Sequence, residues 1–177
     1  MGKNATAKLI ILVGPPGSGK THFASQFCSN NHFKHINNDQ ARYKFFPRPV
    51  FTDQERTELY VKLYQLILEE LQKNNSIVFD GNILTNYERR KVVAFFQSHI
   101  GITPFFVVIE APSDLALSRA MSREQTPDLL YHPVPAERAM RLHEQFEPIA
   151  NDLPSVIIQS SDSFEHQEKI VLSSLGL

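Results

Sequence analysis

Apolar residues along the chain fall into two kinds of grouping. Short β-branched runs occupy 8–13 (KLIILV), 33–37 (FKHIN), 76–80 (SIVFD), 104–110 (PFFVVIE) and 155–159 (SVIIQ). Runs of this length, closed by glycine, proline or polar residues, predict strands buried on both faces. Between them apolar positions return every three or four residues, most clearly over 52–73 through Leu59, Leu63, Leu66, Ile67 and Leu71, which predicts amphipathic helices. Thr52 and Glu55 have the spacing of a capping box, Thr85 and Glu88 repeat it, and Gly101 stands where that second helix should stop. Ser113 is placed to cap a third helix, Pro135 to begin one running to about Ala150, and 162–175 makes the last. Strand and helix alternate, so the expected fold is α/β: one domain over 1–177, with a five-stranded parallel sheet between two helical layers.

Composition narrows the class. The 177 residues are 42% hydrophobic and 21% charged, near globular averages, and no apolar run approaches the ~20 residues of a bilayer span. A soluble protein without membrane association, cytoplasmic in location, is the expectation. Cys28 is the single cysteine, so no internal disulfide can form. A formal charge of −1 supplies no general positive excess for a long nucleic acid, so any such contact would be local. The histidines are scattered without ligand spacing.

The most informative stretch is GPPGSGKT: Gly14, Pro15, Pro16, Gly17, Ser18, Gly19, Lys20 and Thr21. It satisfies G-x-x-x-x-G-K-[ST] and lies between a predicted buried strand and a helix of about 20–30, the context a phosphate-cradling loop requires. Glycines let backbone N–H groups turn toward phosphates, and the helix N-terminus adds positive potential. Lys20 is expected to reach the β- and γ-phosphates and Thr21 to bind magnesium, which makes ATP with Mg2+ the implied cofactor pair.

Phosphoryl transfer further needs a base and cations. HINNDQAR at the end of the second strand carries Asp39, a candidate base for an acceptor hydroxyl, and Arg42, a candidate clamp for an acceptor anion. A helix cap with a salt bridge would use the same pair. The third strand delivers Asp80 to the position of the magnesium-associated acid, and Asn82 follows as a candidate acceptor contact or turn residue. Arg119 and Arg123 are four apart, so on a helix they share a face suited to polyphosphate. The aperiodic 124–134, with Pro127 and Pro133, predicts a lid over the nucleotide. In ARYKFFPRPVF, 41–51, basic and aromatic residues interleave as they would to stack a nucleobase, although aromatics beside a sheet are also core.

Taken together, GPPGSGKT, HINNDQAR, IVFDGN, the Arg119/Arg123 spacing and VPAERAMRLHEQFEP resemble the kinase domain of phage-type polynucleotide 5′-kinases and related small P-loop kinases over most of the chain. The resemblance implies that Asp39 is the general base, that Arg42 binds an acceptor 3′-phosphate, and that Arg123 is a lid arginine on the donor phosphates. The implied reaction transfers the γ-phosphate of ATP to a 5′-hydroxyl of a nucleic acid end or nucleotide. His35, Asn38 and Gly81 depart from the family pattern, all toward the acceptor side. Two alternatives stand beside it. One keeps the chemistry with a gluconate-, shikimate- or nucleotide-sugar-like acceptor, and the other is a nucleotide-dependent switch without transfer, which would have no need of Asp39.

Overall fold

The structure is a computed structural model describing residues 7–122 and 136–177. Its centre is β1 (Leu9–Val13), whose five residues are all buried. Side chains alternate across a strand, so Leu9, Ile11 and Val13 join one apolar cluster while Ile10 and Leu12 join the other. The first cluster is closed by α3 (Asp53–Gln72), through Leu59, Leu63, Ile67 and Leu71, and by α4 (Asn86–Ile100), through Val92 and Phe96. The second is closed by α1 (Lys20–Asn31), through Phe23 and Phe27, and by α7 (Phe164–Leu175), through Val171.

Beside β1 lie β2 (Lys34–Asn37), β3 (Ile77–Asp80), β4 (Phe105–Glu110) and β5 (Ser155–Gln159). The five strands are parallel in the order β2-β3-β1-β4-β5. Successive crossovers thus leave β1 in opposite directions, and the C-terminal edge of β1 is the switch point where α/β sheets place ligands.

Local chemistry accounts for most element ends. Thr85 and Glu88 form the complete capping box expected of α4, and Gly101 takes the left-handed conformation at its end. The expected box at α3 is only half made: Thr52 accepts the Glu55 N–H, but the Glu55 carboxylate is spent elsewhere. Ser113 is the first residue of α5 (Ser113–Ser122) rather than its cap. The helix expected to reach Ala150 is α6 (Ala136–Glu144), which stops well short. Pro148 disfavours helical backbone before it, and the segment's polar groups go instead to the β3–α4 loop, with Glu147 N–H donating to the Leu84 carbonyl at 3.0 Å. A short helix not anticipated as an element, α2 (Asn38–Phe45), follows β2, capped by Asn37.

Candidate functional site

The loop after β1 is shaped by its neighbours as well as by its glycines. Gly17 has φ +83°, and a Cβ there would stand 1.9 Å from the Ala116 carbonyl oxygen of α5, so only glycine lets α5 lie this close. Lys20 is buried and donates to the Gly14 and Pro15 carbonyls at 2.7 and 3.0 Å, folding its ammonium back under the loop. Ser18 Oγ is buried without a protein partner. An orphan hydroxyl beside a lysine, in a loop opening a helix, is the donor set that a phosphate chain satisfies.

Thr21 Oγ1 donates to Asp80 Oδ2 at 2.6 Å. The hydroxyl proton goes to the carboxylate, which leaves oxygen lone pairs for a cation; this is the arrangement magnesium needs in a P-loop. The same oxygen accepts from Asn37 Nδ2 at 2.8 Å, while Asn37 Oδ1 accepts the Gln40 N–H, so one amide joins the ends of β2 and β3 to the start of α2. His35 Nε2 stands 3.7 Å from Asp80 Oδ2. Burial pushes the Asp80 carboxyl up, but His35, the Lys20 charge and the Thr21 bond outweigh it and hold it below the usual carboxylate range.

Asp39, at the first turn of α2, is shifted the opposite way. Burial and then the Asp80 charge push it up, with Arg138, Asn38 and Arg42 pulling back only in part. Asn38 Nδ2 donates to its Oδ1 at 3.2 Å. The two carboxylates at this sheet edge are thus driven apart in acidity, Asp80 toward the ionised and Asp39 toward the protonated form.

Arg42 is 3% exposed, and its Nη1 donates to Glu55 Oε1 in a buried ion pair. Sequence reasoning put Arg42 on an acceptor anion and did not foresee this partner. Glu55 also accepts the Val50 and Phe51 N–H groups at 2.5 and 3.3 Å, so one carboxylate fixes both the arginine and the loop before α3. That loop holds Phe51 at φ 57°, a left-handed backbone costly for a bulky residue. The Phe51 ring centroid is 5.0 Å from the Arg42 guanidinium carbon and 4.7 Å from that of Arg138 on α6. Of the interleaved aromatics, Phe45 and Phe46 pack on the core, whereas Tyr43 and Phe51 stay exposed.

Arg138 is the functional candidate that sequence reading missed. Burial and then the nearby Arg42 charge push the Arg138 guanidinium below the usual arginine range, while Asp39 opposes them. Its only advance signal was a position inside the helix following the expected lid. Asn82 is fixed through its backbone, its N–H donating to the Tyr60 hydroxyl at 3.1 Å and its carbonyl accepting from Arg56. Arg119 lies exposed on α5, less than one turn beyond Ala116. Arg123 and the expected lid at 124–134 lie outside the described residues. Among the described residues no cluster of three or more His, Cys, Asp or Glu is placed to hold a metal, so Thr21 and Asp80 are the groups here that fit magnesium alongside nucleotide phosphates.

Sheet order, glycine loop and the Thr21–Asp80 pair together define a P-loop nucleotide-binding protein of the kinase type. The chain belongs to the AAA domain family, whose model matches residues 9–149. Over 169 residues it is 25% identical to an L-seryl-tRNA(Sec) kinase of Methanococcus maripaludis, a match that takes in 90% of this chain but 62% of that protein. The chain therefore spans less than two thirds of that relative's length. Over 163 residues it is 22% identical to a shikimate kinase of Colwellia psychrerythraea, covering 89% of this chain and 90% of the relative. Among solved structures, a sugar kinase from Janibacter sp. HTCC2649 superposes with a TM-score of 0.72 at 15% identity, over 96% of this chain and 95% of that one. A gluconokinase from Sinorhizobium meliloti 1021 gives 0.65 at 19%, over 97% and 93%. At these identities the structures speak for the fold. No helix among the described residues is long and apolar enough to cross a membrane.

Proposed function

We propose that this chain is an ATP- and magnesium-dependent kinase that phosphorylates a hydroxyl of a small, anionic metabolite. The supporting observation is the gathering of Asp39, Arg42 and Arg138 beside the Thr21–Asp80 pair, where their charges perturb one another. In this reading Lys20 and the loop amides hold the β- and γ-phosphates, and Arg119 and Arg123 add charge over them. Magnesium would be held by Thr21 and Asp80 and would neutralise charge on the donor phosphates. Asp39 takes the proton of the acceptor hydroxyl as that oxygen bonds to the γ-phosphorus, and the bond to the bridging oxygen breaks to leave ADP. Arg138 and the edge of Arg42 not spent on Glu55 hold a carboxylate or phosphate of the acceptor, setting its hydroxyl in line. Asn82, half-buried two residues beyond Asp80, stands as a further acceptor contact.

Transfer to a 5′-hydroxyl of a polynucleotide uses the same chemistry and has less behind it. One relative is named for shikimate and another for L-seryl-tRNA(Sec), neither for a polynucleotide end, Arg42 is already ion-paired, and the net charge is −1. Incubation with γ-labelled ATP, magnesium and a mixed acceptor panel decides between them. Label on an anionic metabolite supports the proposal, and label on oligonucleotides alone would reject it. Asp39→Asn should retain nucleotide binding while losing transfer roughly 10²–10⁴-fold; full transfer in that variant would remove Asp39 as the base.

A further inference from the structure

Helix α6 touches the nucleotide loop and the acceptor cluster at once. His143 Nε2 donates to the Pro16 carbonyl at 2.8 Å. Arg138 stands about 7.5 Å back along the same helix at 1.5 Å per residue, against Phe51 and within reach of the charges of Asp39 and Arg42. Beyond α6 the chain is clamped to the start of α4. Asn86 N–H donates to Glu147 Oε2 at 2.7 Å, Ala150 N–H donates to Asn86 Oδ1 at 3.1 Å, and Arg89 donates to the Pro148 carbonyl at 3.3 Å. With one end held, the placement of the helix body is open to correction at His143.

The carbonyls of the loop divide between two tasks. Those of Gly14 and Pro15 turn inward to Lys20, and that of Pro16 meets His143. Pro15 and Pro16 each have φ fixed by their rings, so the dipeptide moves as a stiff piece. A displacement of that piece, as phosphates engage Lys20 and the loop amides, would carry the Pro16 carbonyl and with it the imidazole bonded to it.

We propose that His143 is a positioning residue through which the state of the nucleotide loop sets the placement of Arg138. The inference rests on the loop being the nucleotide site. It predicts coupling between donor and acceptor sites, because a contact that ties one to the other must act in both directions. The requirement is an N–H donor at Nε2, and the terminal amide of glutamine reaches a similar point, so His143→Gln should preserve the link and His143→Ala break it.

The test uses the full chain with ADP and magnesium as probe, calorimetry for affinity, and hydrogen exchange of peptides within 137–146. In wild type, ADP should slow exchange across α6. His143→Ala should bind ADP within a few-fold of wild type yet show no nucleotide-dependent change in α6, and His143→Gln should restore it. Should His143→Ala fail a thermal-melt check of folding, His143→Leu takes its place. Equal α6 protection in a folded variant lacking the donor, or none in wild type that binds ADP, overturns the proposal. A wild type that binds no ADP overturns the nucleotide-site reading and this one with it.

Discussion

Asp39 and Asp80 are two aspartates at neighbouring strand ends whose surroundings drive them apart. Burial and the charge of Asp80 raise Asp39 above the ordinary carboxylate range, so ionising it is harder in the fold than in the unfolded chain. The fold is penalised above that raised value, and the penalty fades as pH falls through it. Asp39→Asn should therefore raise the melting temperature of the nucleotide-free protein near neutral pH, with the gap narrowing in acid. Asp80 is lowered in spite of its burial, so its stabilisation is present above the ordinary range and is lost as pH falls through the depressed value. Asp80→Asn should destabilise at neutral pH by about 1.5–3 kcal/mol, the worth of a hydrogen bond to a charged group. Melts of both variants across pH check the opposite signs. The sequence revealed both aspartates because Asp80 ends an apolar strand run and Asp39 follows another by two residues, but their contrast was hidden, since it depends on neighbours brought together from β2, α2 and α6.

At the scale of elements, the helix frame was legible where caps and periodicity agree, as at Thr85, Glu88 and Gly101. It was less so where a cap residue has a second task. Glu55 reads as a capping-box partner, yet its carboxylate goes to Arg42 and to the loop carrying Phe51, a pairing that no local spacing announces. Glu55→Ala leaves a buried guanidinium unpaired and should cost about 3–5 kcal/mol in urea unfolding. Likewise α6 ends early because its following residues bond to the β3–α4 loop, a tertiary choice that helical periodicity does not record. The loop-to-α5 contact gives a sharper test. Gly17→Ala must displace the Ala116 carbonyl or distort a φ of +83°, and should abolish ADP binding by calorimetry as well as lower stability by roughly 1–3 kcal/mol. Unchanged ADP affinity would mean that the loop does not need α5 where it lies.

For the molecule as a whole, alternation of strand and helix sufficed to predict a parallel α/β sheet, and the order β2-β3-β1-β4-β5 puts the glycine loop, Asp39 and Asp80 at one edge. Donor chemistry was readable because it resides in one contiguous stretch, GPPGSGKT. Acceptor chemistry was not, because it is assembled from α2, the loop before α3, and α6; Arg138 joins Arg42 only through the fold. The relatives carry kinase names, in keeping with the P-loop class the fold and site show, and the small-molecule acceptor is our proposal. The deciding measurement is transfer of label from γ-labelled ATP to a panel of hydroxy acids, sugar phosphates, neutral sugars and 5′-hydroxyl oligonucleotides, with wild type and Arg138→Ala. Label should appear on a carboxylate- or phosphate-bearing small molecule and fall at least ~10-fold in kcat/KM for Arg138→Ala, the equivalent of one lost charge-assisted contact of about 1.4 kcal/mol or more. Label on oligonucleotides alone, or on neutral sugars with Arg138→Ala unimpaired, would contradict an anionic small-molecule acceptor at this site.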